Sequence, residues 1–135
     1  MLFAIVIWNF RICFLIMADH NELGKIGEKL AKQFLQARGY EIMALNFIHD
    51  KAEIDIIAKK DNLMVCVEVK TRNSAFFGDP QSFVTPGKIK QLVKAMNFYL
   101  IENDISLETR FDIIAVLKNK TTEQVMHYED AFYFF

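Results

Sequence analysis

The sequence predicts an α/β domain in which a mixed β-sheet carries helices on its faces, in the order α-β-β-β-α-β-β. Three observations lead there. Apolar residues recur at helical spacing in two segments, one near the start of the chain and one beyond its middle. Runs such as EIDIIA, LMVCVEVK and RFDIIAVL are rich in Ile, Val and Phe and have the length of strands. These runs fall on both sides of the second helical segment, an interleaving that gives a sheet with helices packed on it. At 135 residues the chain suits one domain with a real core, and a 53% apolar content excludes a disordered tail. No Pro-, Gly- or Ser-rich linker and no internal repeat divides it.

Residues 1–16, MLFAIVIWNFRICFLI, stand apart as an apolar extension before a domain over 17–135. The run falls short of the roughly 20 apolar residues that span a bilayer, and Arg11 would lie within it. No positive charges precede it, as they would in a secretory signal. Three readings stay open: an over-long gene start, a weak membrane anchor, or an added element packing on the domain. Met17, followed at once by a helix-start pattern, favours the first, with the anchor second.

The pattern Asp19-His20-Asn21-Glu22 has the form of a capping box. Behind it Leu23, Ile26, Leu30, Phe34 and Leu35 form an apolar stripe, so the spacing predicts a helix over about 20–38, stopped by Gly39. Gly24 and Gly27 weaken that helix, which implies close approach of another backbone. Strands follow over 40–48, 53–58 and 63–70, the last two joined as a hairpin through Lys59-Lys60-Asp61-Asn62. Residues 73–81 form a loop. Thr85-Pro86 opens the second helix, with Ile89, Leu92, Val93, Met96, Tyr99 and Leu100 on its buried stripe. Strands over 110–117 and 124–128 complete the chain.

Four residues have no packing reason to be where they are. Side chains alternate along a strand, so Glu53 and Asp55 share one face, and Cys66, Glu68 and Lys70 share a face of the next strand. A hairpin therefore brings Asp55 beside Glu68 and Lys70. Mg²⁺ is a hard cation that takes one or two carboxylates plus water and substrate phosphate. Asp55 and Glu68 are the candidate ligands, with the backbone carbonyl of Val69 as a further donor. Lys70 would orient or deprotonate the attacking water and offset phosphate charge. Glu28, at the rim of the first helix's apolar face, joins them as a ligand to a second ion or through water, while Lys25, Lys29 and Lys32 face solvent. Taken alone, such a pattern is more often a surface salt bridge. Its strand–turn–strand setting in an apolar sheet tips the balance to a site.

A net charge of −1 counts against a chain that grips nucleic acid over its whole surface. A local basic patch exists: Arg72 beyond the third strand, and Lys88, Lys90 and Lys94 on the second helix, with no acidic residue from 80 to 101. These would hold phosphates without reading bases, Lys88 first, since it lies nearest the helix start. A solvated helix face explains each lysine singly as well. Phe76 and Phe77 either stack on bases or cover the core. His20, His49 and His127 share no spacing and read as ordinary surface or core residues. Cys13 and Cys66 form no metal or redox pattern, which suits a reducing, cytoplasmic compartment.

As a set, GKIGEKLAKQFLQARGYEI, ALNF, EIDIIA, VCVEVKTR, the FGDP loop and RFDIIAV resemble the YraN family of small bacterial proteins, from about Gly24 to the C-terminus. The resemblance implies the restriction-endonuclease-like, PD-(D/E)xK fold, similar to archaeal Holliday junction resolvases. It also implies a metal site at Glu28, Asp55 and Glu68 with Lys70 as catalytic lysine. One departure is plain: Ile54 stands where the motif's name has proline. The expectation is a Mg²⁺-dependent (or Mn²⁺-dependent) endonuclease acting on DNA, branched or junction DNA included, in repair, recombination or processing. A non-catalytic nuclease-fold module docking on DNA or a protein is the alternative, and an RNA nuclease a third reading. The aromatic tail 132–135 would suit a homodimer with two sites.

Overall fold

The helix expected from residue 20 begins much earlier. The computed structural model describes residues 2–74 and 78–132, and in it α1 runs unbroken from Leu2 to Ala37. No helix therefore starts at Asp19–Glu22. The backbone N–H groups there already have carbonyls one turn back, and a capping box works only where those groups are free. The end of the helix is as expected. Gly39 takes φ +84°, its N–H bonds to the Gln36 carbonyl at 3.1 Å, and the Tyr40 N–H bonds to that of Leu35 at 3.1 Å. That pair of bonds satisfies the last carbonyls through a left-handed residue.

Five strands follow the expected order: β1 (Glu41–His49), β2 (Ala52–Lys60), β3 (Leu63–Arg72), β4 (Glu108–Lys118) and β5 (Glu123–Tyr128). A short 3₁₀ turn at Pro80–Phe83 and the helix α2, Pro86–Glu102, lie between β3 and β4. The α-β-β-β-α-β-β architecture is the one predicted. The sheet order is β1-β2-β3-β4-β5, with β3 and β4 parallel and the other pairs antiparallel. The hairpin joining β2 to β3 turns at Asp61, whose φ of +52° Asp tolerates. Thr85 caps α2, its Oγ1 accepting the Lys88 N–H at 3.2 Å, and Pro86 fills the first turn. Phe76, Phe77 and residues 133–135, for which stacking, core or dimer roles were expected, lie outside the described residues.

Each helix covers one face of the sheet. The α2 side holds Ile54, Ile57, Met64, Cys66, Leu92, Met96 and Ile113. The α1 side holds Ala31, Leu35, Ile56, Ala58, Val65, Val67, Ile114 and Val116. Two expectations for α1 need correction. Ile26 is 40% exposed, whereas Gly27, Ala31 and Leu35 are buried. Leu35, with Leu30 and Phe34 beside it, packs on the sheet as expected, and the small Gly27 and Ala31 let the helix lie close on a Val- and Ile-faced surface. A Cβ added at Gly27 would overlap Thr71 Oγ1 and come within 2.9 Å of Thr71 Cβ, so the close neighbour is a β3 side chain. Gly24 meets nothing within 4 Å. The polar face also differs slightly: Lys25 and Lys29 are exposed, but Lys32 is half-buried.

A polar knot ties β4, β5 and the α1–β1 turn together. Asp112 is fully buried. It accepts from Arg110 Nε and Nη2 at 2.8 Å each and from the Asp130 N–H at 3.0 Å, and His127 Nε2 lies 2.7 Å away. Arg110 Nη2 also bonds Tyr40 Oη at 2.9 Å. Burial pushes the Asp112 carboxyl up, but the bonds from His127, Arg110 and Asp130 outweigh it and hold the group below its ordinary value.

Three stability outcomes follow, each read by denaturant unfolding. Gly27→Ala destabilises by about 2 kcal/mol or more through the forced overlap with Thr71. Gly24→Ala, with open space around it, stabilises by about 0.5–1 kcal/mol. Asp112→Ala costs about 3 kcal/mol or more, since it removes the shared partner of the half-buried Arg110 guanidinium and the His127 imidazole.

Candidate active site

The site lies where β2 and β3 part. Their ladder runs from Lys60↔Leu63 to Ile56↔Val67 and stops. Beyond it β2 stays paired with β1 as far as Ala52, and β3 stays paired with β4 as far as Arg72. Asp55 stands at the fork, its Oδ2 accepting the Val69 N–H at 2.7 Å. A carboxylate thus takes the place of a ladder carbonyl.

The local backbone is irregular. Ile54 and Ile57 join the α2-side core, whereas Ile56 and Ala58 join the α1-side core. The strict two-residue alternation expected of β2 therefore slips by one residue at Asp55. Opposite it on β1 is Asn46, with φ +49°, a conformation that Asn tolerates better than most residues. Asn46 Nδ2 bonds Glu28 Oε2 and Glu53 Oε1, both at 3.3 Å. The sequence reading gave Asn46 no role, although an Asn amid strand formers in ALNFIH is the kind of residue that marks an irregular strand.

Glu68, on the α2 face of β3, is only 3% exposed. Its Oε1 is the partner of Lys88 Nζ, reaching over from α2, and Lys70 Nζ lies 3.6 Å from the same oxygen. Its Oε2 is buried with no hydrogen-bond partner. Asp55 and Lys70 each neighbour Glu68, Asp55 through its charge and Lys70 at 3.6 Å, and Val69, between the two β3 side chains, is bonded to Asp55. Lys88, expected to face nucleic acid, is engaged with Glu68, a pairing that no local pattern announces. Glu28 is half-buried and bonded to Asn46.

The remaining basic residues are spread along the rim. Arg72 is exposed and bonds the Thr71 carbonyl at 3.0 Å. Lys90 is exposed, and Lys94 pairs with Asp50 at 3.1 Å on the surface. His127 belongs to the Asp112 knot, and His49 stacks on Phe98. Cys66 is buried, and burial raises its thiol well above the ordinary range, which makes it a packing residue.

The electrostatics fit a cation. Burial, then the neighbouring charge of Glu68, push Asp55 up to about 7; Glu28 adds to this, while the Val69 N–H and Lys88 oppose it. Two carboxylates crowd one gap, and a buried Glu68 oxygen has no donor. A hard divalent ion held on Asp55 and Glu68 would meet both conditions. Among the described residues no group of three or more His, Cys, Asp or Glu is placed to hold a metal ion. Glu28 thus does not complete a three-carboxylate site with Asp55 and Glu68; these two alone would be a donor set of the size Mg²⁺ accepts. A cavity of about 510 Å³ opens beside Asp55, between the start of β2 and the first turn of α2; its walls include Lys51, Glu53, Thr85, Gly87, Lys88 and Gln91.

Comparison with known proteins agrees with the resemblance read from the motifs. Residues 27–116 match the model of a family described as "Uncharacterised protein family UPF0102". A UPF0102 protein of Flavobacterium psychrophilum is 59% identical over 119 residues, covering 88% of this chain and all of that one. One from Christiangramia forsetii is 53% identical with the same coverage. One from Bacteroides thetaiotaomicron is 42% identical over 117 residues, 87% of this chain and 97% of its own. Among the described residues no helix is long and apolar enough to cross a membrane.

The raised Asp55 carboxyl gives a pH signature. The native state keeps a proton that the unfolded chain releases near 3.8, so stability falls as pH rises from about 4 to about 7 and is level above. Asp55→Asn removes that loss. The variant melts above wild type at about pH 8, and the gap closes towards about pH 4. Thermal melts across this range check it, and a gap independent of pH refutes it.

Proposed function

We propose that this chain, which belongs to the UPF0102 family, is a Mg²⁺-dependent endonuclease hydrolysing phosphodiester bonds of DNA. The observation that carries the proposal is the meeting of Asp55, Glu68 and Lys70 at the β2–β3 fork, with one buried Glu68 oxygen lacking any partner. Asp55 and Glu68 would hold the ion, from the bare end of β2 and the buried face of β3. Val69 contributes its backbone between them. When bound, the ion supplies Lewis-acid polarisation of the phosphate and acidifies a water; Mn²⁺ serves in its place.

The protein's own groups do the rest. Lys70, 27% exposed and 3.6 Å from Glu68, presents an ammonium where the phosphate gains charge, and it orients the attacking water. Glu28, held by Asn46, adds negative charge at the rim that suits a second ion or a water-mediated contact. Arg72 and Lys90, both exposed, hold neighbouring phosphates without reading sequence, with Lys94 and Lys88 alongside. That footprint is small on a chain of net charge −1. It favours recognition of DNA by structure, at branches and junctions, over grip on long duplex. Repair, recombination or processing of DNA is the setting such an activity serves.

A second reading has its own observation. Ile48 and Ile101 are 68% and 77% exposed, apolar surface that a docking module would use. On that reading the carboxylates need bind no ion, so titration with Mg²⁺ separates the two.

Incubation with Mg²⁺ and branched, flapped or linear DNA, with RNA as competitor, tests the proposal. Branched DNA is cut, chelation stops cutting, and Asp55→Ala and Lys70→Ala each lose about 10²-fold or more in rate. Cutting that survives both substitutions rejects the mechanism.

A further inference from the structure

We infer that Lys88 is an exchangeable counter-ion: its ammonium neutralises Glu68 until a divalent ion takes that carboxylate, and it is then released to a DNA phosphate. The inference rests on the endonuclease reading and adds a division of labour between the two lysines around Glu68.

A carboxylate as buried as Glu68 needs a counter-charge in every state of the protein. Two ammonium groups serve one oxygen, Oε1, while Oε2 has none. The two are not equivalent. Lys70 sits two residues away on the same strand face, and its place beside Glu68 is set by β3. Lys88 comes from a different element, 20 residues along the chain. Its side chain is the more exposed of the two, 38% against 27%, and it lines the cavity. A divalent ion shared by Asp55 and Glu68 repels both ammonium groups. Lys88, on a long stem with solvent beside it, is the one that can leave at small cost.

Where it goes is set by α2. The Lys88 backbone N–H is bound by the Thr85 cap. Gly87 beside it carries no side chain, and there is open space where one would stand. The first turn of a 17-residue helix presents a positive dipole end; Pro86 has no N–H and Thr85 takes those of Lys88 and Ile89, which leaves that of Gly87. A freed ammonium at that turn completes a hold for a phosphate, so ion and DNA strengthen each other's binding, reciprocally.

Two measurements without turnover test this. In calorimetric titration with Mg²⁺ alone, Lys88→Gln binds the ion about tenfold tighter than wild type, since one charge-assisted bond no longer competes. Lys88→Arg grips Glu68 with a fork of donors and binds the ion more weakly. Branched-DNA binding, with Ca²⁺ against chelator, gains about tenfold from the ion in wild type, and the gain is lost in Lys88→Gln. Lys90→Gln loses DNA affinity equally with and without ion. Mg²⁺ affinity unchanged or weakened in Lys88→Gln, or an ion-induced gain retained there, overturns the inference and leaves the endonuclease reading standing. Absence of any Mg²⁺ binding that depends on Asp55 and Glu68 overturns both.

Discussion

Two carboxylates placed in one water-poor gap are the constraint around which this molecule is arranged. Asp55 and Glu68 repel each other, and burial raises the cost of ionising Asp55. Everything positive nearby answers that repulsion: the Val69 N–H on Asp55, and the ammonium groups of Lys70 and Lys88 on Glu68. A core of apolar side chains alone would be easier to build there. That the chain keeps acidic oxygens at this spot is the physical argument for chemistry.

The fold serves the gap by dividing the sheet. Once the β2–β3 ladder ends at Ile56↔Val67, β2 stays paired with β1 and β3 with β4. Cores on both faces hold the two parts in place, and α1 lies close enough for Gly27 to meet Thr71, one residue beyond Lys70. The Arg110–Asp112–His127 knot stiffens β4, the strand against which β3 lies in parallel. The site is thereby set between rigid elements, which is what precise ligand geometry needs.

Much of this was legible in the sequence because two-residue periodicity is a strong signal. It placed Cys66, Glu68 and Lys70 on one face of β3 and Val65, Val67 and Val69 on the other, as the two cores have them. It paired β2 with β3 and put α2 between β3 and β4. What it missed has physical causes. On α1 the pattern contains Leu30, Phe34 and Leu35, which pack on the sheet, and Ile26, which is exposed, but it passes over Gly27 and Ala31, whose smallness hides them from a hydrophobic pattern. The capping box at Asp19 was a valid local motif inside a longer helix. The Lys88–Glu68 pair joins elements 20 residues apart, and Asn46 acts through a backbone irregularity, neither of which periodicity encodes.

Under the proposed function, the bond from Asp55 to the Val69 amide would make one side chain both ion ligand and fastener. Elsewhere, main-chain bonds hold neighbouring strands together; at the fork, this carboxylate does. Lengthening it by one methylene, as in Asp55→Glu, would move the acceptor as well as the ligand and so shift how far the strands splay. Any change at this position alters the width of the opening along with its charge, and a kinetic defect there reports on mechanics and chemistry together.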